Sequence, residues 1–333
     1  MDRRAWLDQV VEETLEPDLP ICDPHHHLWD YPQSRYLLDE LLEDTNSGHN
    51  VVSTVFMECG AMYRAAGPEA FRPVGETEFV NGIAAMSASG LYGETSACAS
   101  IIGFADLSMG TAVGDVLDAH MAASGRFRGI RHATGWDASD DVRNSHTSPS
   151  EKLLGDKIFR EGFAELGKRN LTFDAWLYHS QIDELTVLAR EFPEQPIVFD
   201  HFGGPLGIGP YQGKRDEIFS SWKRAVTELA RCENVVAKLG GLVMPINGFG
   251  FHKAAEPASS EALESTTRDY YFHMIEVFGA DRCMFESNFP VDKASCSYNV
   301  LWNSFKRIAA EFSADEKSEL FHDTAARIYT VTV

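Results

Sequence analysis

The stretch QPIVFDHFGGP, residues 195–205, decides how the rest of the chain is read. Its apolar run, Ile197-Val198-Phe199, shows no polar alternation, as expected of a strand covered on both faces in a parallel sheet. It ends in two titratable residues, Asp200 and His201, and then a Gly-Gly-Pro turn. At Gly203 and Gly204 the backbone could approach a ligand closely.

Working outward, similar runs recur along the chain. They are LPICD (19–23), NVVSTVFMECG (50–60), CASIIGFADL (98–107), FRGIRH (127–132), LTFDAWLYH (171–179), NVVAKLGGL (234–242) and RCMFESNFP (282–290). Between them the apolar spacing predicts amphipathic helices over 111–123, 156–168, 181–191, 215–231, 263–278 and 299–311. A last helix, 313–330, opens on Ser313 with Glu316 three residues later, a capping-box pattern. Strand–helix alternation without a break in composition predicts an α/β fold, a distorted (β/α)8 TIM barrel. Residues 1–333 read as one domain, with 1–18 as an N-terminal helical extension. A doubly wound sheet would need fewer strands and a Gly-rich first turn, which ICDPHHH is not.

Lysine and arginine number 29 against 50 aspartates and glutamates, a formal charge of −21. Such a chain repels nucleic acid and anionic membranes, so a small-molecule substrate is expected, with neither of those as partner; a homo-oligomer stays open. No apolar run reaches the length of a membrane span, and MDRRAWLDQVVEETLEPDLP lacks the apolar core of a signal peptide. The six cysteines form no CxxC pair and read as reduced thiols of a cytoplasmic protein.

The strand ends collect the titratable residues. They are Asp23, His25, His26 and His27; Glu58; Arg131 and His132; His179; Asp200 and His201; Lys238; and Glu286, Asn288 and Asp292. Burying such groups inside a barrel is costly, so their convergence on one mouth marks a site. Period-two alternation aims His25 and His27 at one face and His26 at the other, and two imidazoles one pleat apart can hold a cation. A polar turn is the competing reading of DPHHHLWD; a tag remnant is disfavoured by its depth in the chain. Three irregular stretches, 28–49, 133–152 and 243–262, follow strands on the same side, and MPINGFGFHK (244–253), with His252, has the glycines of a lid.

DPHHHLWD (23–30), GIRH (129–132), VFDHFGGP (198–205), VVAKLGGL (235–242), MFESNFPVDK (284–293) and FHDTAARIY (321–329) together resemble the amidohydrolase superfamily, in its amidohydrolase-2 branch. The resemblance covers nearly the whole chain and implies a TIM-barrel hydrolase. The members it is most similar to are lactonases, among them 2-pyrone-4,6-dicarboxylate lactonase and sugar-lactone hydrolases. It implies site positions His25, His27, His179, His201 and residue 288, with His25, His27 and His201 as metal ligands. Asn288 departs from that pattern, which has aspartate there. An amide lacks the basicity of a carboxylate, so the site is expected to hold a divalent ion, zinc first, or to work without one. Glu286 and Asp292 are the possible replacement carboxylates; Glu286 shares the face of Asn288 if the strand stays extended.

The expected reaction is hydrolysis of a lactone or related cyclic ester. His25, His27 and His201 surround the carbonyl, His179 donates or ligates, and Asn288 or Asp292 holds the water. Arg131 is a candidate for a substrate carboxylate or a structural ion pair. Lys238 is an oxyanion donor or, by preference, a strut to Glu58. His132, Trp29, Glu58 and His252 complete the expected substrate contacts. The alternatives are an amide or C–C bond hydrolase or a non-oxidative decarboxylase on the same barrel, and a non-catalytic barrel.

Overall fold

The computed structural model describes residues 3–331. Eight parallel strands run in chain order: β1 (Pro20–His26), β2 (Asn50–Met57), β3 (Ser96–Gly103), β4 (Phe127–Arg131), β5 (Thr172–Ala175), β6 (Ile197–Phe199), β7 (Val235–Leu239) and β8 (Cys283–Phe285). Each of the eight apolar runs in the sequence supplies one strand. The residues after β8 close the barrel onto β1: Asn288 N donates to His25 O at 2.9 Å, and His27 N donates to Phe289 O at 2.8 Å. The seam therefore lies beside the histidine run. β1 is also irregular, with register shifts against β2 between Ile21 and Cys22 and between Asp23 and His26.

The expected helices form over Val113–Ala123, Lys157–Gly167, Ile182–Glu191, Arg215–Leu229, Ser260–Phe278 and Tyr298–Ile308. Two more, Leu38–Thr45 and Val74–Ala88, fill the β1–β2 and β2–β3 crossovers. The C-terminal helix starts at the predicted capping box, with Glu316 Oε2 accepting from Ser313 N at 2.8 Å. It does not run unbroken to 330: a π turn over Glu319–Asp323 separates it from Thr324–Ile328.

The N-terminal extension is helical only over Arg3–Leu7. Beyond it the chain is an irregular strap whose backbone groups find partners on another element rather than in a helix of their own. Leu15 N donates to Asn303 Oδ1 at 2.9 Å, and Lys306 Nζ donates to the Leu15 and Glu16 carbonyls at 2.9 and 2.8 Å. Six free cysteines are present, five of them buried and Cys59 partly so, and no described helix is long and apolar enough to cross a membrane.

The barrel interior has two levels. Cys22, Val55, Met57, Ile102, Val198, Val236 and Met284 form an apolar layer, joined by Ala325 and Tyr329 from the C-terminal segment. The second level is charged: Asp174 on β5 and Lys238 on β7 are fully buried and 2.8 Å apart. Tyr329 Oη ties the two levels together, donating to Asp174 Oδ1 at 2.5 Å. Replacing Tyr329 by Phe removes that donor from a buried carboxylate, a loss of about 1–3 kcal/mol. The urea midpoint should fall with an unchanged m-value; an unmoved midpoint would show that the bond contributes nothing.

Candidate active site

At the C-terminal end of β1 the predicted alternation holds. The His25 and His27 rings lie edge to face, centroids 5.0 Å apart, while His26 turns away to Thr54, with 2.8 Å between Nε2 and Oγ1. His201, just past β6, brings its ring to 4.4 Å from that of His25. The backbone pays for this placement in strain: His201 and Phe202 have φ of 51° and 59°, and Gly203 and Gly204 continue in the left-handed region. Two consecutive non-glycine residues there cost of order 1–3 kcal/mol each, and such strain clusters at functional sites.

Glu286 lies between the two histidines. Its Oε1 is 2.6 Å from His201 Nδ1, and its Oε2 is 2.7 Å from His25 Nδ1 but off the line of a good hydrogen bond. Room for this group comes from Gly240 and Gly241 at the end of β7. A Cβ at 240 would lie 2.4 Å from Glu286 Cγ, and one at 241 would lie 2.4 Å from His201 Nδ1. Gly203 and Gly204 serve packing rather than ligand approach, since their Cβ positions fall against Phe199 and against Trp176 and Leu177.

Two buried cations complete the arrangement. Arg131 Nε donates to Glu58 Oε1 at 2.7 Å and its Nη2 to Glu58 O at 2.6 Å, while Nη1 reaches His25 Nε2 at 3.3 Å. Lys238 Nζ bonds Asp174 and lies 3.4 Å from Asp200 Oδ1. The expected strut from Lys238 to Glu58 is therefore corrected: Lys238 serves Asp174 and Asp200, and Arg131 serves Glu58. Arg131 takes its structural reading, because the fork that would grip a substrate carboxylate is already held.

Burial sets the protonation. It pushes His27 and His201 down to about 3 and His25 well below the ordinary histidine value, with nearby cations adding to the effect, so these rings are neutral near pH 7. Burial raises Glu286 to about 8 and Asp200 to about 6, against the pull of Lys238. For Glu58 burial also works upward, but Arg131 and His146 overcome it and hold the carboxyl at about 2.

Other expected residues are placed differently. His179 sits in a short turn after β5, its Nδ1 accepting from Leu206 N at 3.3 Å and its ring against Tyr211; it does not join the cluster. Trp176 packs its ring on His201 instead, centroids 5.0 Å apart. His132 is wedged between Phe104 and Phe159, away from the histidines. His252 lines a separate cavity of about 760 Å³ with Tyr211, Arg215 and Lys253. Asn288 donates through Nδ2 to Asp292 Oδ1 at 3.2 Å. Its φ of 54° breaks the strand's alternation, so it does not share the face of Glu286. Trp29 stacks on His27 and Tyr31 on Trp29, an aromatic ladder leading to the exposed Tyr31 ring. Asp174, Trp176 and His146 escaped the sequence reading; the lone carboxylate in the apolar run LTFDAWLYH was the available signal for the first.

The possible metal ligands are also revised. Ligand atoms of His25, Asp200 and His201 lie within 4.8 Å of one another. His27 is outside the group, its Nδ1 engaged with the Met57 carbonyl at 2.9 Å. Both Asp200 oxygens are buried without a hydrogen-bond partner, with Lys238 and Arg131 only at ion-pair distance, and two imidazoles with one carboxylate match a catalytic three-ligand set. The residues therefore fit a divalent ion, provided that Arg131 Nη1 yields His25 Nε2.

The amidohydrolase family profile matches residues 22–331. The chain belongs to the amidohydrolase family. As an amidohydrolase it is a hydrolase. It is 34% identical to the uncharacterized protein y4mH of Sinorhizobium fredii, over 94% of this chain and 99% of that one. It is 25% identical to L-fucono-1,5-lactonase of Burkholderia multivorans, over 93% and 95%. A solved amidohydrolase from Burkholderia multivorans with bound zinc superposes with a TM-score of 0.71 at 24% identity, covering 94% of this chain and 99% of that one, which establishes the shared barrel.

Two outcomes are expected for this amidohydrolase. The ring protons of His27 and His201, followed by NMR, should not titrate between pH 7 and pH 5, because both depressed values lie near 3; protonation with a midpoint near 6.5 would refute their dry setting. Gly241→Ala should displace His201 and cost about 1–3 kcal/mol, as a strained and overpacked position does; wild-type stability and turnover together would show that the cradle is slack.

Proposed function

We propose that this amidohydrolase hydrolyses lactones, taking an uncharged lactone such as that of a sugar acid. The observation that carries the reading is the pairing of neutral, buried His25 and His201 with Asp200, whose two oxygens accept no hydrogen bond, at the barrel mouth. Its relationship to L-fucono-1,5-lactonase supports the substrate class. An uncharged substrate is favoured because Arg131 is already closed on Glu58, and the surrounding carboxylates would oppose an anion.

Lactone hydrolysis needs a base for water, a polarised carbonyl, and a proton for the departing alkoxide. Asp200, raised to about 6 and with no hydrogen bond to either oxygen, takes the proton from water as the water oxygen bonds to the carbonyl carbon. The tetrahedral oxyanion collapses, the ring C–O bond breaks, and Asp200 returns the proton to the alkoxide. Arg131 and Lys238, fixed 3.9 and 3.4 Å from Asp200, supply preorganised positive potential for the oxyanion. The stacked rings of Trp29 and Tyr31 offer an apolar face for the substrate ring. His25, Asp200 and His201 would hold a divalent ion, zinc first, since a similar amidohydrolase structure contains bound zinc. Such an ion supplies Lewis-acid polarisation and an acidified water.

A panel of neutral and carboxylate-bearing lactones, read with a pH indicator, tests this. Turnover of neutral lactones is expected, with His201→Ala reducing it at least about 100-fold. No turnover of any lactone by folded protein, with or without added zinc, would defeat the proposal. Elemental analysis should find a divalent metal in the wild type and less of it in Asp200→Asn, since the amide is a poorer ligand; equal occupancy in both would remove Asp200 from the ligand set.

A further inference from the structure

We infer that Glu286 is the positioning residue of this site, orienting both catalytic imidazoles from behind. It lies two residues before Asn288 and contacts the Nδ1 atoms of both rings. The kinetic arm of this inference rests on the lactone-hydrolase reading; its spectroscopic arm does not.

A guanidinium can only donate. Arg131 Nη1 stands 3.3 Å from His25 Nε2, so that nitrogen presents its lone pair and the ring proton sits on Nδ1. Nδ1 in turn lies 2.7 Å from Glu286 Oε2. Lys238 Nζ also approaches Nδ1, at 3.5 Å, but its short contact, 2.8 Å, is to Asp174. The carboxylate is thus the nearer partner of Nδ1, even though the alignment is imperfect. His201 repeats the pattern with Nδ1 2.6 Å from Glu286 Oε1. Glu286 Oε1 accepts from His201 Nδ1–H, its Oε2 lies against His25 Nδ1, and the His201 Nε2 lone pair is left for water, substrate or metal while that of His25 faces Arg131.

The surroundings are built for this group. Glu286 is fully buried, and Gly240 leaves the space its Cγ occupies. Gly241 does the same for the His201 ring, so two adjacent glycines serve the two partners of one hydrogen bond. Asp292, the other possible replacement, is held by Asn288 Nδ2 and touches neither ring. Carboxylates that orient ligating or catalytic histidines through their second nitrogen fix both tautomer and angle.

Glu286→Gln keeps the shape but replaces one acceptor oxygen by an amino group, so it can accept from one Nδ1–H and must oppose the other. Histidine-selective 15N NMR of the purified wild type at about pH 9, where Glu286 (raised to about 8) is ionised, should show His25 and His201 as Nδ1–H tautomers, without any substrate. In Glu286→Gln at least one ring should change tautomer, kcat on a neutral lactone should fall about 10–100-fold, and KM should move less than about threefold. Glu286→Asp, which retains the acceptor pair on a shorter arm, should recover part of kcat. A wild-type His201 carrying its proton on Nε2, or a Glu286→Gln enzyme with wild-type kcat, overturns the inference. The expected tautomers in a wild type that opens no lactone would overturn the proposed substrate class and leave the positioning role standing. If Glu286→Gln does not fold, the wild-type tautomers and the Glu286→Asp kinetics decide.

Discussion

The dry interior of the barrel forces its charges to be balanced, and the ammonium of Lys238 is the clearest case. It has no access to water, so it must be met by carboxylates, and Asp174 and Asp200 meet it. Unpaired, such a group would lose its charge or destabilise the fold by several kcal/mol. Asp174 draws in Tyr329 from the C-terminal segment, and Asp200 lies beside His201 at the mouth. The same rule pairs Arg131 with Glu58, and that pair in turn faces His25. The polar layer is therefore one connected system, from the apolar layer below to the reacting groups above.

This balance explains why the histidines stay neutral. Two fixed cations and complete burial both disfavour a third positive charge, so the imidazoles remain lone-pair donors at neutral pH. Neutral rings present lone pairs of the kind that ligate a divalent ion. The two cations also stand where a metal's positive charge would be felt, which lessens how much of the electrostatic work an ion alone must do.

Asn288 gains a structural explanation. Its backbone adopts a left-handed conformation that asparagine tolerates better than most residues, and its amide is spent on Asp292. The turn at 288 takes the side chain out of the strand's alternation. A carboxylate at 286, still within reach of the strand's regular pleat, meets His25 and His201 instead.

The amino-acid sequence by itself determined the barrel, because a strand covered on both faces is mostly apolar, and an apolar stretch survives in each of the eight runs even where a charge such as Asp174 or Lys238 interrupts it. It also determined the inward pair His25 and His27 and the separation of His26, since alternation along a strand is local geometry. Weakly patterned elements were less legible. The helix Val74–Ala88 carries no single apolar stripe, and the strap after Leu7 is anchored at Leu15 and Glu16 on the distant helix Tyr298–Ile308. Tertiary structure alone decided which strand-end residues meet. His179 and His132 share the strand-end position of His201, yet short turns and aromatic neighbours aim them elsewhere. The partners of Lys238, the engagement of Arg131 and the reach of Glu286 are contacts between residues tens to hundreds of positions apart. No periodicity encodes them; they follow from where the closed barrel sets each side chain and from the requirement that every charge inside it find its opposite.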